Sequence, residues 1–209
     1  MAEKLTSTAK PSRRQEHKMR TKRALQQAAL DLFAKDGYDT TTTDEIAERA
    51  GVSARTFFRY FPTKDSVLFV GEYGWFQSLT EDFLAQPDSM SELEALVETL
   101  VAKPPTGRRS LLLYAKAVAS SPTLRGVVQD HQAEDVETLA EAIATRRGLR
   151  KADEGCRLLA AIALNTYRRA LNRWLAGPAG ADARDVITEE FELLQDEFAP
   201  TRTKLRRSR

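Results

Sequence analysis

Apolar residues along this chain recur with a period near four, and no segment sustains the period of two expected of a strand. Ala24 and Leu25, Ala28 and Ala29, and Leu32 and Phe33 form the stripe of an amphipathic helix over about residues 14–35, and Gly37 supplies its stop. TTTTDEIAERAG opens a second helix, with Thr42 or Thr43 as N-cap, Asp44 and Glu45 at the positive end of the dipole and Gly51 as terminator. Ser53 caps a third helix, which ends near Phe61 because Pro62 disfavours continuation. Thr63 caps a fourth, running through KDSVLFVGEYGWFQSLTEDFLAQ to Pro87. Further helices at about 90–102, 107–120, 122–147, 152–176 and 182–199 are punctuated by Pro104-Pro105, Ser121-Pro122, Gly148 and AGPAGA.

The pattern predicts an all-α chain of nine helices in two domains, a three-helix head and a larger helical bundle. The boundaries read as a basic arm over 1–19, a head over 20–66, a bundle over 67–199 and a basic tail over 200–209. No internal repeat is evident. A chain of 209 residues with 42% hydrophobic content is long enough for a sizeable core. No apolar run approaches a membrane span and the N-terminus is too polar for a signal peptide, so the expected location is cytoplasmic. Cys156 is the single cysteine and reads as a small buried apolar residue.

Charge changes the picture more than composition does. The net charge of +2 conceals +6 over residues 1–23, +5 over 201–209 and −9 in between. Such a body meets a polyanion only through a localised surface. An architectural protein indifferent to sequence would spread its cations over the body instead. Enzyme signatures are absent: there is no phosphate-binding loop, dinucleotide fingerprint or nucleophile elbow, and His17 and His131 are too few and too separated for a zinc site. Neither a metal nor a cofactor is expected.

The two short helices joined by AGVS fit a helix-turn-helix, whose second helix enters a major groove. Ile46, Ala47, Ala50, Val52 and Phe57 point towards Leu25, Leu32 and Phe33 to make a small core. The other side of the third helix carries Ala54, Arg55, Phe58 and Arg59. An arginine fork can bond guanine O6 and N7, or a phosphate, with two hydrogen bonds, and small Ala54 permits close approach. Thr43, Thr56, Tyr60 and Lys64 supply the less directional donors that phosphates accept. Thr43 and Ser53 also read as helix caps, and Phe57 and Phe61 as core.

TTTTDEIAERAGVSARTFFRYFPTKDSVLF, together with RALQQAALDLFAKDGYD, resembles the DNA-binding head of TetR-family transcriptional regulators over about residues 20–69. The resemblance implies phosphate contacts at Thr43, Thr56, Tyr60 and Lys64 and base contacts at Ala54, Arg55 and Phe58, with Arg59 suited to either. Many members carry Tyr where this chain has Phe58, which replaces a hydroxyl contact with apolar contact to a thymine methyl. Arg13, Arg14, Lys18 and Arg20, in RRQEHKMRTKR ahead of the first helix, are placed to reach a neighbouring groove or backbone.

The helices at 152–176 and 182–199 carry wide apolar surfaces that include Leu159, Ile162, Leu171, Trp174, Ile187, Phe191, Leu194 and Phe198. They serve either intrachain packing or self-association; the resemblance implies a four-helix interface between two copies and hence a palindromic operator on double-stranded DNA. It also implies a repressor released by a small-molecule effector, here hydrophobic or aromatic. Trp75, Phe76, Phe83, Tyr114, Tyr167 and His131 are the candidate lining, with packing as core the alternative reading of the aromatics and a hydrogen-bonded core position that of His131.

Arg55→Ala is expected to reduce discrimination at one or two base pairs by about 1–3 kcal/mol, and Lys64→Ala to weaken all sequences alike while flattening the salt slope by about one unit. Binding measured on matched and mismatched duplexes across a salt series checks both.

Overall fold

A computed structural model describes residues 12–69, 75–105 and 107–198, with the side chains of Trp75 and Gln77 outside the description. Among the described residues there are nine α-helices and no strand: α1 (Arg13–Asp36), α2 (Thr43–Arg49), α3 (Ala54–Tyr60), α4 (Trp75–Leu84), α5 (Glu92–Ala102), α6 (Arg108–Ser120), α7 (Pro122–Arg146), α8 (Glu154–Ala176) and α9 (Ala183–Phe198). None is long and apolar enough to cross a membrane.

Caps set the boundaries. Ser12 and Gln15 form a reciprocal capping box, so α1 begins at Arg13. Arg13, Arg14, Lys18 and Arg20 therefore stand exposed on α1 itself and do not precede it as an arm. At the other end Gly37 adopts φ 93°, and its N–H donates to the Phe33 carbonyl at 3.1 Å. Thr42 is the N-cap of α2: its Oγ1 accepts from the Glu45 N–H at 3.2 Å while its own N–H donates to Glu45 Oε2 at 2.8 Å. Thr43, the alternative cap, is instead the first helical residue. Gly51 takes φ 71° in the turn to α3, a conformation that a side chain would strain. Ser53 then caps α3 through the Thr56 N–H at 3.2 Å.

The expected fourth helix does not begin at Lys64. Residues Asp65–Leu68 form a 3₁₀ turn, held by Thr63 Oγ1 accepting from the Ser66 N–H at 3.3 Å, and α4 starts only at Trp75. Residues 70–74 of that prediction lie outside the described residues.

The chain divides into two compact units, Met1–Trp75 with Arg109–Gln129, and Phe76–Arg108 with Asp130–Arg209. The first has a core of Leu25, Leu30, Phe33, Ile46, Phe57, Phe61, Val67 and Leu68, joined by Ala117 of α6 and Leu124 and Val128 of α7. Phe33 meets Tyr38 edge-on at 5.0 Å, and Phe57 lies 5.7 Å from Phe61. Gln26, buried among them, satisfies its amide by donating to the Val67 carbonyl at 3.1 Å. Leu32, Ala50 and Val52 are only partly buried at the rim of this core.

In the second unit α8 and α9 pack as an antiparallel pair. Ala160, Ala163 and Ala170 of α8 are buried, as are Ile187 and Phe191 of α9. Two arginines bind backbone carbonyls where the chain leaves a helix. Arg108 donates to the Leu175, Gly177 and Pro178 carbonyls at 3.0, 2.6 and 2.8 Å and lies over the Trp174 ring at 5.1 Å. Arg146 does the same after α4, at the Gln86, Pro87 and Met90 carbonyls. Glu190 of α9, fully buried, is paired with Arg169 and Arg173 of α8.

Phe33→Ala is expected to cost about 3–5 kcal/mol of unfolding free energy, whereas Phe58→Ala, at a half-exposed ring, is expected to cost less than about 1 kcal/mol. Urea denaturation of the two variants separates them; equal costs would contradict the burial of Phe33 and the exposure of Phe58.

Candidate nucleic-acid interface

The seven residues of α3 divide cleanly by side. Phe57 points inward with no exposure, and Phe61 just past the helix end does likewise. One helical step away, Phe58 is 52% exposed and meets Phe57 edge-on at 5.4 Å. Arg55 and Arg59 flank it and are exposed, while Ala54, Thr56 and Tyr60 are half-buried. The guanidinium of Arg59 lies 5.0 Å from the Tyr60 ring, which orients it without using its donors. Arg55 has no hydrogen-bond or ion-pair partner among the described residues. Two planar forks and an apolar ring thus face outward from a helix whose position is set by buried phenylalanines. That arrangement suits base edges and phosphates in a groove.

Around it, the Thr56 hydroxyl shares a hydrogen bond with Ser53 Oγ at 3.0 Å, and Thr43 is half-buried at the start of α2. Lys22 of α1, which local spacing did not single out, lies 5.9 Å from the Phe61 ring centroid. Its proximity to α3 depends on the packing of two helices far apart in sequence, so no local signal marks it.

Lys64 is placed differently from the other candidates. Its ammonium turns to the α1–α2 loop, donating to the Tyr38 carbonyl at 2.5 Å and the Thr41 carbonyl at 2.9 Å. Burial lowers its pKa, and Asp39 and Asp65 oppose the shift. Tyr38 beneath it is pushed up to about 12, mainly by burial and then by the nearby carboxylates of Asp65 and Asp39.

The candidate effector residues fall into both units. Tyr114 packs against the core of the first. Phe83 and Tyr167 are buried in the second, and Phe76 and His131 are half-buried there. Burial raises the Tyr167 pKa. Burial also raises that of Asp135, one helical turn after His131, against the pull of Arg168 and His131. A separate open cleft of about 500 Å³ lies between α5 and α9, lined by Met90, Val97 and Phe191 and by the carboxylates of Glu94, Glu98 and Glu192. None of the candidate effector residues whose side chains are described lines it.

Of the candidate self-association residues, Trp174, Ile187 and Phe191 are buried within the second unit, so their side chains are spent on packing inside the chain. Trp174 also donates its indole N–H to the Ala181 carbonyl at 2.8 Å. Leu159, Ile162, Leu171 and Leu194 are half-buried, and Phe198 is 77% exposed. Leu158 and Leu193 are exposed as well.

A capped recognition helix with outward arginines on a three-helix core defines a helix-turn-helix DNA-binding protein. Residues 25–69 match the family model described as bacterial regulatory proteins, tetR family, and residues 93–199, half of the chain, match the MftR C-terminal domain. The chain belongs to the TetR family of transcriptional regulators, with a C-terminal domain of the MftR type.

Among relatives, the regulator TcmR of Streptomyces glaucescens is 37% identical over 90 residues, which are 41% of this chain and 38% of TcmR. The chain thus spans well under half the length of that relative. The regulator named for mycofactocin biosynthesis, MftR of Mycobacterium tuberculosis, is 26% identical over 151 residues, 70% of this chain and 76% of MftR. Among solved structures, the TetR-family repressor FadR of Thermus thermophilus in complex with lauroyl-CoA superposes with a TM-score of 0.53 at 24% identity, covering 86% of this chain and 95% of that one. FadR of Bacillus halodurans gives a TM-score of 0.56 at 19% identity, covering 86% and 96%. At these identities the two structures establish the shared fold.

Because the folded-state pKa of Tyr38 lies above its ordinary value of 10.0, its contribution to stability is complete below about pH 10 and is lost as pH rises towards about 12. In alkaline titrations followed by tyrosinate absorbance and unfolding, Tyr38→Phe is expected to lose less stability over that window than the wild type. Equal losses would mean that Tyr38 titrates as a solvent-exposed phenol.

Proposed function

We propose that the protein is a homodimeric repressor that reads a palindromic operator on double-stranded DNA and is released from it by a hydrophobic or aromatic small molecule. It acts by binding alone, in the cytoplasm where the chromosome lies. The observation that carries this reading is the outward set of Arg55, Phe58 and Arg59 on α3, held in register by buried Phe57. Arg55 and Phe58 read base edges beside Ala54, Arg59 takes a base or a phosphate, and Ser53, Thr56, Tyr60 and Thr43 border the backbone.

Self-association is supported by the apolar side chains that the second unit leaves outside. Leu158, Leu193 and Phe198 are exposed on α8 and α9, and Leu159, Ile162, Leu171 and Leu194 of the same two helices are half-buried. A second copy related by a two-fold axis covers such a patch with the same patch, and two α3 helices then address half-sites one helical turn or a multiple of it apart. The effector reading draws support from the aromatic side chains Phe76, Phe83 and Tyr167 in the second unit and from the lauroyl-CoA bound to a fold relative. A 100-fold loss of operator affinity on effector binding requires a difference of about 2.7 kcal/mol between the two states.

Selection of fragments bound from the source genome is expected to return one inverted repeat bound far more tightly than bulk DNA, and sedimentation is expected to show a dimer. A monomer that binds every duplex equally would overturn the proposal.

A further inference from the structure

The cleft of about 500 Å³ between α5 and α9 takes no part in the roles described so far, and its lining is of two kinds. Met90, Val97 and Phe191 are its apolar part, half-buried or buried, while the carboxylates of Glu94, Glu98 and Glu192 stand exposed. Among the described residues no lysine or arginine lines it. Arg146 donates to the Met90 carbonyl at 3.0 Å and Arg147 pairs with Glu92 at 3.0 Å, so neither neutralises a cleft carboxylate. Glu94 accepts from the Ser91 N–H and hydroxyl at 2.9 and 2.8 Å, which holds its carboxyl below the usual range and keeps it ionised. Glu98 and Glu192 accept no hydrogen bond and form no ion pair with a described residue. An apolar groove edged by unpaired carboxylates suits a cationic segment that carries an apolar side chain.

Such a segment is attached to α9 itself. Residues 199–209, APTRTKLRRSR, lie outside the described residues and hold five Lys/Arg with no acid. Leu205 stands between Lys204 and Arg206. Neighbouring side chains of an extended chain point to opposite sides, so Leu205 can enter the groove while the two cations face its rim. Reach is sufficient as well. The cleft takes Thr188, Phe191, Glu192 and Gln195 from α9, so its far end lies about 15 Å back along the helix from Phe198. Residues 199–205 span up to about 24 Å when extended. So short a tether gives an effective concentration of roughly millimolar, at which weak ion pairs hold.

We propose that this cleft is the docking site of the chain's own basic tail, with Leu205 against Val97 and Phe191 and with Lys204 and Arg206 paired to Glu98 and Glu192. Docked there, the tail's cations are neutralised within the molecule and add little to its attraction for a polyanion. Docking involves the second unit alone and is independent of the DNA-reading role.

A water-soluble carbodiimide joins a lysine amine to a carboxylate only where the two meet, and Lys204 is the tail's single lysine. In the full-length wild type at low salt, peptide mapping is expected to find Lys204 joined to Glu98 or Glu192 in a product with the mass of one chain. In about 1 M salt, where the screening length falls to about 3 Å, that product is expected to drop several-fold. Lys204 joined only to its sequence neighbours Asp196 and Glu197, or equally to carboxylates of α7 and α8 such as Glu137 and Glu154, overturns the docking. A product with the mass of two chains puts the tail on a second copy and overturns the same-chain assignment.

A protease reads the same state through a full-length double variant, Glu98→Gln with Glu192→Gln, at two exposed positions where substitution costs the fold little. Brief trypsin treatment at low salt is expected to cut after Arg202 and Lys204 about two- to fivefold faster in the variant than in the wild type, the worth of two exposed ion pairs. Cleavage at exposed Arg150 and Lys151 is the internal reference and is expected to be unchanged. Equal tail cleavage in the two proteins overturns the docking.

Discussion

The burial of one phenylalanine sets the rest of this molecule's purpose. Phe57 is fully buried, the one buried residue of the seven in α3, and its burial fixes the rotation of that short helix about its own axis. With Phe57 inward, the 100° step of an α-helix carries Phe58 out, and Arg55 and Arg59 follow on the same outer side. The specificity-bearing side chains are thus located by a residue that touches no ligand. The same ring also accounts for the length of the head's supporting cast. Phe57 and Phe61 need α1, the 3₁₀ turn and parts of α6 and α7 around them, since three helices alone leave too much apolar surface wet.

Arginine does two unrelated jobs here. In the head Arg55 and Arg59 stand outside with donors available, whereas in the second unit Arg108 and Arg146 are drawn against helix C-termini and spend theirs on backbone carbonyls. Arg169 and Arg173 hold the buried carboxylate of Glu190 between α8 and α9. The planar fork serves both uses because it matches paired oxygens whether these belong to a base, a phosphate or two successive peptide groups. Counting cations therefore says little about nucleic-acid binding; their neighbours decide it.

Much of the head was legible from local chemistry. Thr42 with Glu45, Ser53 with Thr56, and glycines at positive φ after α1 and α2 act over three or four residues, so their signature survives in a string of letters. The order and number of helices followed from the same signals. Less was legible wherever an apolar stripe has two possible partners. Period-four pairs on α8 and α9 announce a wide surface but not its division, and the structure assigns Trp174, Ile187 and Phe191 to the interior while leaving Leu158, Leu193 and Phe198 outside.

The chain's letters by themselves determined the all-helical class, the capped helix-turn-helix and the side of α3 that carries arginines, because helical period, caps and turn glycines are short-range constraints. Tertiary structure alone decided that residues 109–129 join the head and that Lys64 turns to the Tyr38 and Thr41 carbonyls. Both depend on groups brought together across 23 or more residues, where the choice of partner follows from packing volume and the need to satisfy buried polar atoms rather than from any spacing along the chain.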